Sequence, residues 1–271
     1  MGLEDLVIGI KGAGEMASAV AWRLFSARIR KLFMMEIEKP LAVRRKVCFC
    51  EAVYEKRHTV EGIEGVLAEN AADIYRAWAS DRIPVIVDPS WESVTCLRPH
   101  GVVDAIIAKE NLGTRIHDAP LVIGLGPGFT AAIDVHFVIE TQRGHDLGRI
   151  FTKGCALENT GVPGNIGGFT KERVLRAPIE GTFRTERAIG DRVQKGEAVA
   201  EVGGEIIRAS IDGVIRGLLR PGAVVTKGLK LGDIDPRGCV EYCFTLSDKA
   251  RAVAGSVLEV VCRAYNTGRE S

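Results

Sequence analysis

The sequence predicts an α/β protein with an open parallel sheet, then a small all-β sandwich, then a C-terminal helix. Three observations predict it. "LVIGI" (6–10), a helical stripe from Glu15 to Arg28 and "KLFMMEI" (31–37) place strand, helix and strand in succession, which is one βαβ unit. "APIEG" (177–181) recurs as "ASIDG" (209–213) and "GDRVQKG" (190–196) as "GAVVTKG" (222–228), a repeat of 32 residues. "SDKARAVAGSVLEVVCRAY" (247–265) places Val253, Val257 and Val261 on one helical face, with Ala250, Ala254 and Leu258 nearby.

In chain order, "LVIGI" is apolar throughout, as a parallel strand buried on both faces should be. Met16, Val20 and Leu24, with Ala17 and Ala21 beside them, give the following helix its buried stripe. "DIYRAWAS" (73–80) reads as a helix and "IPVIVDP" (83–89) as a strand ending at Asp88. "GVVDAIIAK" (101–109) and "PLVIGLG" (120–126) are further buried strands, and 133–140 alternates as a strand does. These elements define an α/β domain over 1–157. "ENTGVPGNIGG" (158–168) opens a glycine-rich linker that runs to 173. Two copies of a repeat are too few for a solenoid but suit a sandwich of two similar halves over 174–240. Residues 241–271 carry the last helix, with Ser247 as its N-cap, and the expectation is that it packs back on the α/β domain.

Composition narrows the class. The 271 residues carry 36 Lys and Arg against 35 Asp and Glu, a net charge of +1, so no electrostatic argument favours nucleic acid or an acidic membrane. No apolar run reaches the roughly 18 residues that a spanning helix needs. "MGLEDLVIGI" is acidic ahead of its short apolar run, unlike a secretory leader, and Leu6 does not fit a myristoylation signal. The seven cysteines show no paired C-x-x-C knuckles, so neither a disulfide framework nor a structural zinc site is expected, and a reducing cytoplasmic location is. No metal site is assigned.

"GAGEMA" carries the first chemistry. Gly12 permits a tight turn, Gly14 lets a phosphate approach the backbone, and Ala17 stands where a third small residue lets helix and strand pack. The helix beyond it offers N–H groups and partial positive charge. Glu36 closes the next strand, where an acid binds ribose hydroxyls. "KPLAVRRK" (39–46) follows, and the forked guanidiniums of Arg44 and Arg45 suit an anionic cofactor; a solvated basic loop would look the same.

The densest polar constellation is "GLGPGFTAAIDVHFVIETQRGH" (124–145). On a strand over 133–140, Asp134, His136 and Glu140 share a face, with Arg143 and His145 beyond its end. Carboxylate plus imidazole can shuttle protons or hold a metal, and an exposed strand face shows the same alternation. Gly124, Gly126 and Gly128 follow a buried strand, where open α/β sheets place ligands. Asp104, Lys109 and Asn111 form a second group, as charges in an apolar stretch need partners if buried. Cys155, in a glycine-flanked loop, is a candidate chalcogen carrier or an inert thiol.

"IKGAGEMASAVAWRLF", "EIEKPLAVRRKVCFCEAVYE", "DAPLVIGLGPGFTAAIDVHFVIETQRGHDLGRI" and "TGVPG", in that order, resemble the YqeB-like family, the selenium-dependent molybdenum hydroxylase system proteins. The resemblance implies a cytoplasmic accessory protein in hydroxylase maturation, with a Rossmann-like α/β domain and a molybdopterin-type cofactor or NAD(P) as candidate ligand. It implies as partners a molybdenum hydroxylase or its cofactor and selenium donor proteins, and neither nucleic acid nor membrane. It marks Gly12, Gly14, Glu36, Pro40, Arg44, Arg45, Gly124, Gly126, Gly128, Asp134, His136, Glu140, Arg143, Gly144 and His145. Of these, Asp134, His136, Glu140 and His145 are the catalytic candidates. Gly12, Gly14, Glu36, Arg44, Arg45, Gly124, Gly126, Gly128 and Arg143 are the cofactor-binding ones. Cys48, Cys50 and Cys155 have no family role assigned. The repeat region resembles a biotinyl/lipoyl-like barrel sandwich, whose carrier forms display a lysine on the hairpin between halves; "AEVGGEIIRAS" (200–210) has none. The long helix and small sandwich are compatible with a homodimer. Two other functions stay open, an NAD(P)-dependent oxidoreductase and a non-catalytic docking scaffold.

Overall fold

A computed structural model describes residues 2–266. The described residues divide into two compact units, one of residues 2–40, 48–159 and 246–266, the other of 41–47 and 160–245.

The first unit is a mixed α/β layer. Its elements are β1 (Val7–Lys11), α1 (Glu15–Ser26), β2 (Lys31–Glu36), α2 (Glu51–Glu55), β3 (Arg57–Val60), β4 (Ile63–Ala68), α3 (Ala71–Ala79), β5 (Ile83–Val87), α4 (Glu92–Leu97), β6 (Gly101–Asp104), β7 (Leu121–Leu125), β8 (Phe137–Ile139), β9 (Ile150–Phe151) and α5 (Asp248–Tyr265). The nine strands run β3-β4-β5-β2-β1-β6-β7-β8-β9. Pairing is parallel from β4 through β8, and β3 and β9 join antiparallel at the edges. Strand order therefore reverses at β1, between β2 and β6. Ile8, Ile10, Leu32, Met34, Val102 and Val122 are buried along the central strands. A Cβ on Gly9 would lie 2.7 Å from the Phe33 ring, so the glycine makes room for that ring on the face it shares with Met35 and Ile74.

Helix α5 belongs to this unit and packs against α1. Ser247 caps it, its side chain accepting the Ala250 N–H. Val253, Val257, Val260 and Val261 are buried, each worth roughly 1.5–3 kcal/mol relative to exposure.

Two strands are shorter than their sequence predicts. The segment 101–109 is a strand only over Gly101–Asp104, with the Ala105 N–H still donating to Lys11 O at 3.0 Å, and beyond it Ile107 (φ 60°) and Lys109 (φ 72°) take the left-handed conformation, which cannot continue a strand. The segment 133–140 pairs only over Phe137–Ile139. Ahead of it Ala132 is left-handed (φ 68°) and the Asp134 carboxylate accepts the Thr130 N–H at 2.8 Å, so a turn stands where alternation suggested a strand.

The second unit holds β10 (Val174–Arg176), β11 (Gly181–Arg184), β12 (Arg192–Val193), β13 (Ala198–Val202), β14 (Glu205–Arg208), β15 (Gly213–Leu218), β16 (Val224–Val225) and β17 (Lys230–Asp235). They form two four-stranded antiparallel sheets, β10-β17-β15-β12 and β14-β13-β11-β16. Phe183, Val202, Val214, Ile215, Leu218, Leu231 and Ile234 form the core. The 32-residue repeat appears as exchanged hydrogen bonds. Gly196 N–H donates to Ala209 O and Gly228 N–H to Ala177 O, both at 2.8 Å. Adding the offset to one partner and subtracting it from the other converts the first bond into the second, which is a two-fold relation between the halves. Gly181 and Gly213 match at φ 153° and 156°.

Residues 41–47 join this unit although they follow β2 in sequence. Val43 O accepts the Leu218 N–H at 2.8 Å, and Arg45 Nε donates to Leu218 O at 2.8 Å. A Cβ on Gly217 would lie 2.6 Å from a Val43 methyl, so the strand has a glycine where this segment lies against it. Under the sheet lies a buried ionic cluster. Asp233 pairs with Arg173 (3.1 Å) and Arg216 (3.3 Å), and Asp235 with Arg216 (3.3 Å) and Arg237 (2.6 Å).

Candidate functional site

The carboxyl ends of the parallel strands converge where strand order reverses, the place at which open α/β sheets bind ligands. β1 delivers Gly12, whose φ of 89° suits glycine. Its N–H donates to Met35 O at 2.7 Å, and a Cβ there would lie 3.3 Å from Ile106 Cα, so turn and β6 loop touch. Ala13 O accepts the Cys50 N–H at 3.0 Å and the Ser18 hydroxyl at 3.0 Å, which pins the turn from behind. Gly14 is the N-cap of α1, so the cap residue has no side chain to bond that end, and a Cβ on Gly14 would meet nothing within 4 Å. A helix N-terminus reached through a glycine with room at its Cβ position is suited to an oxyanion.

Glu36 ends β2 and reaches back to this turn. One carboxylate oxygen accepts the Ala13 N–H at 2.9 Å, the other the Ile37 N–H at 2.8 Å. Burial raises its pKa above the usual carboxylate range, against the lowering effect of those two bonds. Asp88, after β5, takes the Glu92 and Ser93 N–H groups at the start of α4.

Next to the turn lies a group of which sequence reading found Asp104 but missed Lys11, Thr114 and Asp118. Lys11, the last residue of β1, is 1% exposed. Its ammonium lies 2.8 Å from Thr114 Oγ1, 2.8 Å from Asp118 Oδ2 and 4.0 Å from the Trp91 ring centroid. Thr114 in turn donates to Asp104 Oδ2 at 2.6 Å. Burial raises the Asp104 pKa; the Thr114 and Ile106 hydrogen bonds and the Lys11 charge oppose that rise. The available signal was a charge directly between an apolar strand and a glycine turn, in "VIGIKGAG".

The glycines after β7 shape the neighbouring loop. Gly124 makes room for the Phe129 ring, where a Cβ would approach to 2.6 Å, and Gly126 (φ 80°) faces the Thr141 hydroxyl. Gly128 (φ 106°) would bring a Cβ to 2.7 Å from the Glu110 backbone.

The remaining expected site residues are dispersed. Asp134 and His136 precede β8, while Glu140 follows it, so they occupy opposite ends of that strand. His136 Nδ1 accepts the Val122 N–H at 3.0 Å, and burial, then the charge of His117, lowers its pKa. Glu140 is buried and takes the Gln142 (2.7 Å) and Leu157 (2.8 Å) N–H groups. Arg143 makes a bidentate pair with Asp248 at 2.6 Å, and His145 is exposed in a turn. Asn111 clamps its own loop through Gly113, Thr114 and the Thr114 carbonyl, and Lys109 is exposed. Arg44 and Arg45 lie in the second unit, where buried Arg44 donates to Tyr242 O (2.9 Å) and Thr245 O (2.8 Å). Cys48 and Cys50 are buried and Cys155 is exposed. Among the described residues no three His, Cys, Asp or Glu side chains are grouped to hold a metal, and no helix is long and apolar enough to cross a membrane.

Fold and site together define a mixed α/β protein with a glycine turn leading into a helix at the carboxyl edge of its parallel sheet. Over 262 residues, 97% of its length, the chain is 48% identical to the uncharacterized protein YqeB of Escherichia coli K12, which supports a YqeB-like family. It spans about half of that relative, 48% of its length. No family model matches. Among solved structures, TcdA (CsdL) is 14% identical, with 98% of this chain and 90% of that one covered at a TM-score of 0.34. The product-bound ectoine utilization protein EutE (DoeB) from Ruegeria pomeroyi is 12% identical, with 77% and 58% covered at 0.24. These structural likenesses are too slight to carry an argument.

Proposed function

We propose that the chain is a cytoplasmic accessory protein in the maturation of selenium-dependent molybdenum hydroxylases, and that it holds the phosphate of a nucleotide or a molybdopterin-type cofactor at the Gly12–Gly14 turn. The observation that carries the binding reading is the open space at the Cβ position of Gly14, the N-cap of α1. The maturation role rests on the family resemblance, and its partners would be the hydroxylase or the proteins that donate cofactor and selenium to it. Gly14 and the first residues of α1 would hold the phosphate through backbone N–H groups, with Gly12, whose own N–H is taken by Met35 O, shaping the turn and Glu36 fixing it from the β2 side. The Gly126–Gly128 loop would form the neighbouring wall. When bound, the cofactor would be the group passed on to the hydroxylase; the chain's residues bind and orient it.

We read the nine-stranded sheet as Rossmann-like, on its strand order about β1, and the second unit as a biotinyl/lipoyl-like barrel sandwich, on the two-fold exchange of its hydrogen bonds. The hairpin joining β13 to β14 turns through Gly203 and Gly204 and has no lysine, so this unit would serve for docking rather than as a covalent carrier.

The test is mass spectrometry of small molecules retained by the chain after anaerobic purification, with equilibrium titration of nucleotides. A retained phosphate-bearing pterin or nucleotide is expected. A clean apo-protein that binds neither would overturn the reading, and turnover of NAD(P)H would replace it with an oxidoreductase. A deletion strain whose hydroxylase still acquires selenium would end the maturation role.

A further inference from the structure

The crossover from β6 to β7 is unusual for a parallel pair. Residues 105–120 contain neither helix nor strand, where such a connection usually carries a helix. Ile107 and Lys109 are left-handed without being glycine, and Ile is β-branched, which makes its positive φ an outlier. The segment is tied to the sheet by the Lys11 ammonium, through Thr114 and Asp118, and by the Thr114 hydroxyl, which donates to Asp104. An ammonium has three donors, and here two hydrogen-bond acceptors and the Trp91 face surround it. The carboxylate that touches it directly is that of Asp118, whose side chain is 22% exposed while that of Lys11 is 1% exposed. Asp118 is thus the partly exposed partner of a buried cation, and its Oδ2 also accepts the Arg115 N–H at 3.2 Å.

We propose that Lys11 is an oxyanion-binding centre occupied by Asp118 in this state, and that an incoming phosphate or carboxylate group takes the ammonium by displacing Asp118 together with the 105–118 segment. This goes beyond the glycine-turn reading, because the binding group is a side chain rather than the end of α1. Lys11 adjoins Gly12 in sequence and Ile106 lies against Gly12, so displacement of the segment would also widen the turn's opening.

The experiment uses the full chain and the D118A variant, each titrated with sodium phosphate and, separately, sodium formate. Hydrogen exchange over 105–118 and tryptophan fluorescence are the readouts. Without added anion, D118A should exchange this segment at least tenfold faster than wild type. One of the two anions should restore protection saturably, at concentrations at least tenfold below any response of wild type. Restoration by phosphate alone marks the ligand as a phosphate; restoration by formate alone marks it as a carboxylate. The double variant K11M/D118A should show no anion response. D118N, which preserves shape, repeats the comparison should D118A fold poorly. Wild-type exchange rates in both Asp118 variants, or an anion response that survives K11M, would overturn the proposal. Absence of nucleotide binding with the rescue intact would count against the glycine-turn reading alone.

Discussion

Gly12 and Gly14 differ in what a side chain would cost. Gly12 is left-handed with Ile106 close by, so G12A should destabilise the protein by about 1–3 kcal/mol in urea unfolding. Gly14 has ordinary φ (−71°) and open space before it, so G14V should leave stability within about 1 kcal/mol while filling the opening. Asp233 makes the residue-scale prediction for pH. Burial would raise its pKa, but Lys230, Arg216, Arg44 and Arg173 together hold it below the ordinary carboxylate value. A depressed folded pKa gives stability that is present above the unfolded value of about 3.9 and is lost as pH falls through the folded one. Thermal midpoints should therefore drop on acidification below about pH 4. D233N, which leaves buried arginines uncompensated, should cost about 3–5 kcal/mol at pH 7 and show a shallower acid loss. Such residues differ in legibility. Gly12, Gly14 and Glu36 stand out because a glycine turn between strand and helix is a local pattern. Lys11 does not, because its partners Thr114 and Asp118 lie more than a hundred residues away.

At the scale of elements, β1, α1 and β2 follow the apolar spacing of their sequences, and α5 follows its valine stripe. Replacing the α5 cap, S247A, should cost about 1 kcal/mol, measured by chemical denaturation. β8 shows where periodicity misleads. Alternation over 133–140 suggests one exposed strand face, yet the Thr130–Asp134 turn consumes the first part, and Glu140 caps loop backbone beyond the end. Asp134, His136 and Glu140 each satisfy a backbone N–H, a demand that a single-sequence pattern does not separate from chemistry.

Across the whole molecule, the change from α/β to all-β is readable from composition and from the 32-residue repeat, since the repeated motifs stand in the sequence itself. The membership of 41–47 in the second unit is not. It depends on Val43 and Arg45 meeting Leu218, a long-range backbone pairing with no signature in "KPLAVRRK". The basic residues there attract attention as anion ligands, while the structure has Arg44 and Arg45 donating to main-chain carbonyls. The account's central claim, a phosphate held before Gly14, is tested most directly by comparing small molecules retained by wild type and G14V after anaerobic purification. It predicts a phosphate-bearing pterin or nucleotide near one per chain in wild type, and its loss in G14V with an unchanged thermal midpoint. Equal retention by both proteins, or none by wild type even after titration, would contradict it.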